Sequence, residues 1–220
     1  MKYIILLFCT GLLFSCTNDD YLIDGGKANP YVNMTTYDYL KSNPLFDTLV
    51  MAIDIAGLQE EVNAAGTFYA PTNFSLNEYI RDELELRKKL DADAMYTFDS
   101  IPVTEFDSIR MYLFAETITR DSLTKEGRVY TSLAGIDFKL SKEPQDAYQD
   151  DLVIKPEYLF FIKKIGSNFD SYEDTVNDNV ATKEKDERIR VQTSGIITTT
   201  GVIHVLQNNH KFIFHKAVLN

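Results

Sequence analysis

The chain has 220 residues, 45% hydrophobic and 25% charged, a globular composition long enough for one domain with extensions and a core that needs no disulfide staple. Its formal net charge of -11 argues against nucleic acid as a partner and against docking on anionic lipid through a basic face.

Met1-Lys2 is followed by an uncharged run over residues 3–14. That run is too short to span a bilayer and reads as a signal peptide over residues 1–15. Leu13-Phe14-Ser15-Cys16 resembles a bacterial lipobox, in which a small residue precedes a cysteine that becomes lipidated; an ordinary secretory signal with an incidental cysteine is the alternative. With Cys9 in the removed segment and Cys16 acylated, the mature chain has no thiol for a disulfide, a metal or a nucleophile. Acyl chains on Cys16 would anchor the protein to the membrane, at about 0.8 kcal/mol per buried CH₂. Asp19-Asp20 resembles a surface-export signal of Bacteroides-like lipoproteins, which places the expected location at the outer membrane, on the cell surface. Residues 16–33 form the lipidated cysteine and a tether broken by Gly25-Gly26 and Asn29-Pro30.

A domain is expected over residues 34–220. Thr36 is read as the cap of a short helix, and Pro44 as the first turn of a second, whose Leu45, Leu49, Ile53 and Ala56 form an apolar stripe up to Gly57. Residues 58–62 make one more turn. Phe68-Tyr69 are strand formers stopped by Pro71, and Asn73 is read as the N-cap of a helix over residues 74–90. Thr104 and Asp107 read as a capping box for a helix over residues 105–117. From Arg128 the period changes to two: Val129, Thr131 and Leu133 share a face, then Ile136, Phe138 and Leu140, around Gly135. Further strands are expected at 152–154, 158–162, 189–193, 196–199, 202–206 and 211–214, with an acidic loop over residues 166–185. Helices first and strands after them, with one strand among the helices, give α+β, and the strand at Thr67 must pair with strands far along the chain.

Thr67-Phe68-Tyr69-Ala70-Pro71-Thr72-Asn73 and Gly201-Val202-Ile203-His204-Val205-Leu206 resemble the two motifs of the fasciclin-like domain family. Ala56-Gly57-Leu58 and Thr131-Ser132-Leu133-Ala134-Gly135 are also similar to its pattern. The resemblance, to lipoproteins of the Bacteroides-like type in particular, implies a β-sandwich-like wedge with N-terminal helices at one side. It implies a non-enzymatic binding module, for adhesion or for extracellular glycan or matrix protein; a carbohydrate-active enzyme or a structural subunit of a glycan-uptake complex is the alternative. Thr67, Ala70, Pro71, Thr72, Asn73, Gly201, Val202, His204 and Val205 are expected to shape the fold. Where many members carry a Tyr-His pair tied to integrin adhesion, this chain has Tyr112-Leu113, so that recognition is not carried over.

Site chemistry is sparse. His204, His210 and His215 do not fall at zinc-ligand spacing. Asp170, Asp174 and Asp178 lack the glycine and spacing of a calcium loop and read as solvated. No nucleophile elbow, phosphate loop or dinucleotide fingerprint is present, so no catalytic residue, metal or cofactor is expected. The acidic loop is the expected place for lineage-specific binding. Of the 13 Tyr, Tyr148 and Tyr172 lie in polar surroundings and are the candidate ligand contacts.

Overall fold

A computed structural model describes residues 29–145, 155–182 and 184–214. Cys16, Tyr148, His215 and the strand expected at 152–154 lie outside the described residues.

The N-terminal half is helical: α1 Thr36–Ser42, a 3₁₀ turn Pro44–Phe46, α2 Asp47–Ala56 and α3 Gln59–Ala64. Thr35, not Thr36, caps α1: its side chain accepts from the Asp38 N–H. The Thr36 hydroxyl instead meets that of Thr198 at 2.9 Å, tying the first helix to a turn 162 residues away. Gly57 ends α2 in the left-handed region at φ 67°, where Leu58 N–H reaches the Ile53 carbonyl at 3.0 Å. Leu49, Val50, Ala52 and Ile53 face the core.

Strand β1 (Thr67–Ala70) is buried along its whole length and leads into α4 (Asn73–Lys88). The helix expected over residues 105–117 is mostly not α-helical. A four-residue α5 (Val103–Phe106), preceded by Pro102 rather than a Thr104 capping box, runs into a 3₁₀ turn Asp107–Tyr112. Leu113–Phe114 then form β2, antiparallel to β1. Local periodicity lost here to tertiary burial: Tyr112, Leu113 and Phe114 all sit in the core with no exposed face between them.

Strands β3 (Arg128–Thr131), β4 (Asp137–Pro144), β5 (Glu157–Lys163), β6 (Glu187–Ile197) and β7 (Val202–Leu206) complete one seven-stranded sheet of order β2-β1-β7-β6-β5-β4-β3. β1 runs parallel to β7, pairing Phe68 with Ile203 and Tyr69 with His204; every other pair is antiparallel. The run at 189–193 and the first two residues of the run at 196–199 are thus parts of one long β6, bent by register shifts between Val191 and Ile196, and residues 198–199 lie beyond its end. The sheet nearly closes: beyond β3, Leu133 N–H reaches the β2 carbonyl of Leu113 at 2.8 Å. Rings stack in the interior, Tyr69 of the N-terminal half on Phe161 at 5.1 Å and Phe161 on its neighbour across the β4–β5 pair, Phe138, at 4.4 Å. This α+β architecture, a curled sheet with helices gathered at one end of the chain, is the one the element order implied.

Two local readings are corrected. In β3 the inward residue is Tyr130, edge-on to Phe114, while Val129 is exposed. The C-terminal stretch read as a strand is a 3₁₀ turn, Phe212–Phe214, with Ile213 and Phe214 both at φ 54°. That strained backbone turns both phenylalanines inward onto Tyr112, at 6.1 and 6.4 Å.

Candidate functional site

The two family-like motifs meet in space. Thr67 Oγ1 donates to the Glu116 carbonyl at 2.8 Å and accepts from Ile118 N–H at 2.7 Å. His204, fully buried, receives the Gly195 N–H on Nδ1 at 3.2 Å and sits 2.8 Å from the Ile118 carbonyl through Nε2. A backbone N–H only donates and a carbonyl only accepts, so the ring is neutral with its proton on Nε2. Burial pushes its pKa down to about 4, with the Ile118 bond opposing and Arg120 assisting. Thr72 occupies the N-cap position of α4, and its hydroxyl goes to the Asn208 side chain at 3.0 Å. Asn73 is therefore not the cap. It is the first helical residue, and its side chain takes the Thr48 N–H at 2.9 Å and gives to the Pro44 carbonyl at 2.7 Å, fastening α4 to α2. Ala70 and Pro71 are buried beside them, and Val202, His204 and Val205 fill β7. A Cβ at Gly201 would lie 2.6 Å from the Ala65 carbonyl, and one at Gly66 2.5 Å from the Ala115 carbonyl, so the strands cross here at backbone contact. Every polar side chain named in this junction is engaged by the protein itself.

Sequence reasoning missed a second buried histidine site. His210 Nε2 lies 2.7 Å from the Tyr112 hydroxyl, which also accepts the Ile213 N–H at 2.8 Å. Burial drives the His210 pKa down to about 3. The partners stand 98 residues apart, and no local signal joins them.

Carboxylates in the acidic loop are not brought together. Asp170 and Asp186 each accept the other's backbone N–H at 2.8 Å, and Asp186 also takes the Ile165 N–H at 3.0 Å. This clamp closes the base of the excursion between β5 and β6. Asp174 bonds Ser171, the cap of a single helical turn α6 (Tyr172–Val176), and Asp178 pairs with Lys185. Among the described residues no group of three or more His, Cys, Asp or Glu is placed to hold a metal. Glu61 is held below the usual carboxylate range by a two-pronged bond from Arg110, and Glu126 by backbone and Thr124 hydrogen bonds; a glycosidic general acid needs the opposite shift.

One concavity lies beside the loop. Lys125, Glu126, Lys139, Phe169, Ser171, Tyr172 and Glu173 line a groove of about 390 Å³, within the ~300–1,000 Å³ of small-ligand sites. Tyr172, expected as a ligand contact, stands half-buried in its wall with the Lys125 ammonium 5.5 Å from the ring. Lys139 was not singled out from sequence. It points out of β4 on the face opposite the core residues Phe138 and Leu140, and only 6% of it is exposed. Its ammonium donates to the Asp170 carbonyl at 2.7 Å. Burial lowers its pKa, Arg188 adds to this, and the carboxylates of Glu143, Asp186 and Asp170 oppose it. Beside it Glu143 is claimed by Ser141 and Arg188.

No protein-family model matches the chain, and no curated protein matches it. Among solved structures it is similar to a FAS1 domain pair from the insect cell adhesion molecule fasciclin I, with a TM-score of 0.51 at 12% identity over 82% of this chain and 51% of that one. The chain thus spans about half the length of the insect domain pair. The fold is that of a fasciclin-like α+β domain.

Proposed function

We propose that this protein is a non-enzymatic binding module for adhesion or for extracellular glycan, held at the outer surface of the cell by a lipid on Cys16. The observation that carries the reading is the fold, shared with domains of a cell adhesion molecule. The lipobox-like Leu13-Phe14-Ser15-Cys16 and the acidic Asp19-Asp20 supply the anchor and its address. Among the described residues no helix is long and apolar enough to cross a membrane.

The reading divides the molecule into a scaffold and a contact region. At the motif junction Thr67, Thr72, Asn73 and His204 are bonded within the protein and the Tyr69 hydroxyl is buried out of reach, so contacts belong on the excursion between β5 and β6 and the groove it walls. Two measurements test this. Cys16→Ala should move the protein from the membrane fraction to the soluble one; continued anchoring overturns the lipid attachment. The full-length chain in detergent should bind at least one member of a panel of glycans and matrix proteins. Silence across the panel would replace the binding module with a purely structural subunit.

A further inference from the structure

Lys139 is an unusual residue to find buried on the outer face of a sheet. An ammonium has three N–H donors and keeps its charge at a cost once water is removed. Here one donor goes to the Asp170 carbonyl, and no other hydrogen-bond partner of the ammonium is found among the described residues. The carboxylates around it are committed: Glu143 to Ser141 and Arg188, Asp186 to the N–H groups of Ile165 and Asp170, Asp170 to the N–H of Asp186. The fold makes room for this side chain deliberately. Gly127, at φ 71°, lies so close that a Cβ there would sit 2.8 Å from Lys139 Cε. Lys139 therefore ends in the wall of the groove as a cation with two donors unpartnered among the described residues.

Two aromatic rings line the same groove, Phe169 and Tyr172, both half-buried. Each has a lysine over it at 5.5 Å: Lys164 over Phe169 and Lys125 over Tyr172. Lys125 is half exposed and its ion pair with Glu126 is long, at 3.8 Å, so moving it costs little. An aromatic face takes the C–H side of a sugar ring, while fixed cations take an anionic substituent. Neutral sugars would use the rings and leave Lys139 uncompensated.

We infer that the groove takes an acidic saccharide, with the carboxylate or sulfate of one sugar unit on the Lys139 ammonium and the sugar ring against Tyr172. Lys125 swings from the Tyr172 ring onto the same anion, which uncovers the ring face as the charge arrives. Recognition is local: the anion meets Lys139, held by the fold, and the mobile Lys125, although the chain as a whole carries -11. The inference rests on the reading of the chain as a binding module and names the ligand class for it.

The test is calorimetric titration of the full-length chain with tri-galacturonate, its methyl ester, and a sulfated galactotriose, at low and physiological salt. The acid or the sulfate should bind at least tenfold more tightly than the ester, and which of the two does so separates carboxylate from sulfate. Lys139→Met and Tyr172→Ala should each weaken that binding at least tenfold. If Lys139→Met fails to fold, Tyr172→Ala and Lys125→Ala decide, since both sites are on the surface. Equal affinity for acid and ester, or undiminished binding in the variants, overturns the acidic-saccharide groove while leaving a binding module in place. No binding of either anionic saccharide overturns it as well, and the wider glycan and matrix panel then judges the module separately.

Discussion

The junction between β1 and β7 and the groove beside β4 lie against one sheet and use polar side chains in opposite ways. At the junction Thr67, Thr72, Asn73 and His204 reach the protein's own backbone or another side chain, across 9 to 136 residues of sequence. Beside β4, Lys139 is just as buried but gives a single bond, and its neighbours in the groove are half exposed. A polar group that is buried and satisfied stabilises one fold; one that is buried and short of partners is a cost retained for something else. The residues of the two fasciclin-like motifs thus mark where the chain closes on itself, and the contact chemistry proposed above lies where that pattern stops.

That division is open to mutation, and the junction should be the more fragile side by several kcal/mol. Gly66→Ala and Gly201→Ala each force a Cβ to within 2.6 Å of a backbone carbonyl, which cannot swing aside as a side chain can. A loss of about 3 kcal/mol is expected for either, read from urea unfolding followed by circular dichroism. Gly135→Ala gives the contrast: φ is 73° but nothing lies within 4 Å, so only the backbone penalty of about 1 kcal/mol should appear. Equal losses at all three would mean that close approach is not what the junction glycines provide.

Next in size is acid sensitivity. His204 and His210 have folded pKa values pushed down to about 4 and about 3, against an ordinary 6.5. The unfolded chain therefore binds protons first. Stability from each ring is complete above about pH 6.5 and falls as pH drops toward the folded value. Between pH 7 and pH 5 each histidine should cost about 2 kcal/mol, from 1.36 kcal/mol per unit. His210→Gln should remove about half of this dependence in unfolding curves taken at several pH values. An unchanged slope would show that His210 is not held neutral in the core. Asn73→Ala should cost less, about 1–2 kcal/mol, because two hydrogen bonds between α4 and the start of α2 are lost near the surface.

Much of the fold was legible because its signals are local. Gly57 closes α2 as its position after an apolar stripe indicates, and the two-residue period from Arg128, which left a bulge or a hairpin open at Gly135, is the antiparallel β3–β4 pair. The pairing of β1 with a distant strand followed from a lone strand among helices, whereas its parallel direction was not legible. Failures share one cause. Tyr112, Leu113 and Phe114 look helical in sequence but are wholly buried, so the sheet claims them. Phe212 and Phe214 look like a strand but both turn inward on a left-handed backbone, which no pattern of residues announces. Asn73 has the chemistry of a cap and is spent on a neighbouring helix. At the candidate site, the sequence drew attention to Tyr172 through its polar surroundings, whereas nothing drew attention to Lys139. A lysine in an alternating strand reads as the solvated face, and only the Asp170–Asp186 clamp, formed across 16 residues, roofs it over.

The smallest expected effect discriminates best between the two regions. Lys139→Met keeps the aliphatic stem against Gly127 and removes the charge. If the groove is a contact region, the ammonium is a net cost in the unliganded protein, and its removal should leave stability unchanged or raise it by up to about 1 kcal/mol. If Lys139 instead staples the excursion through Asp170, losing the bond should cost about 1–3 kcal/mol, as for the junction residues. Tyr172→Ala, on a half-exposed ring, should stay within about 0.5 kcal/mol. Unfolding curves for the two variants at pH 7, set beside their saccharide titrations, therefore separate the roles by sign. Retained stability with lost binding assigns the groove to recognition; lost stability with retained binding makes it a second scaffold like the junction.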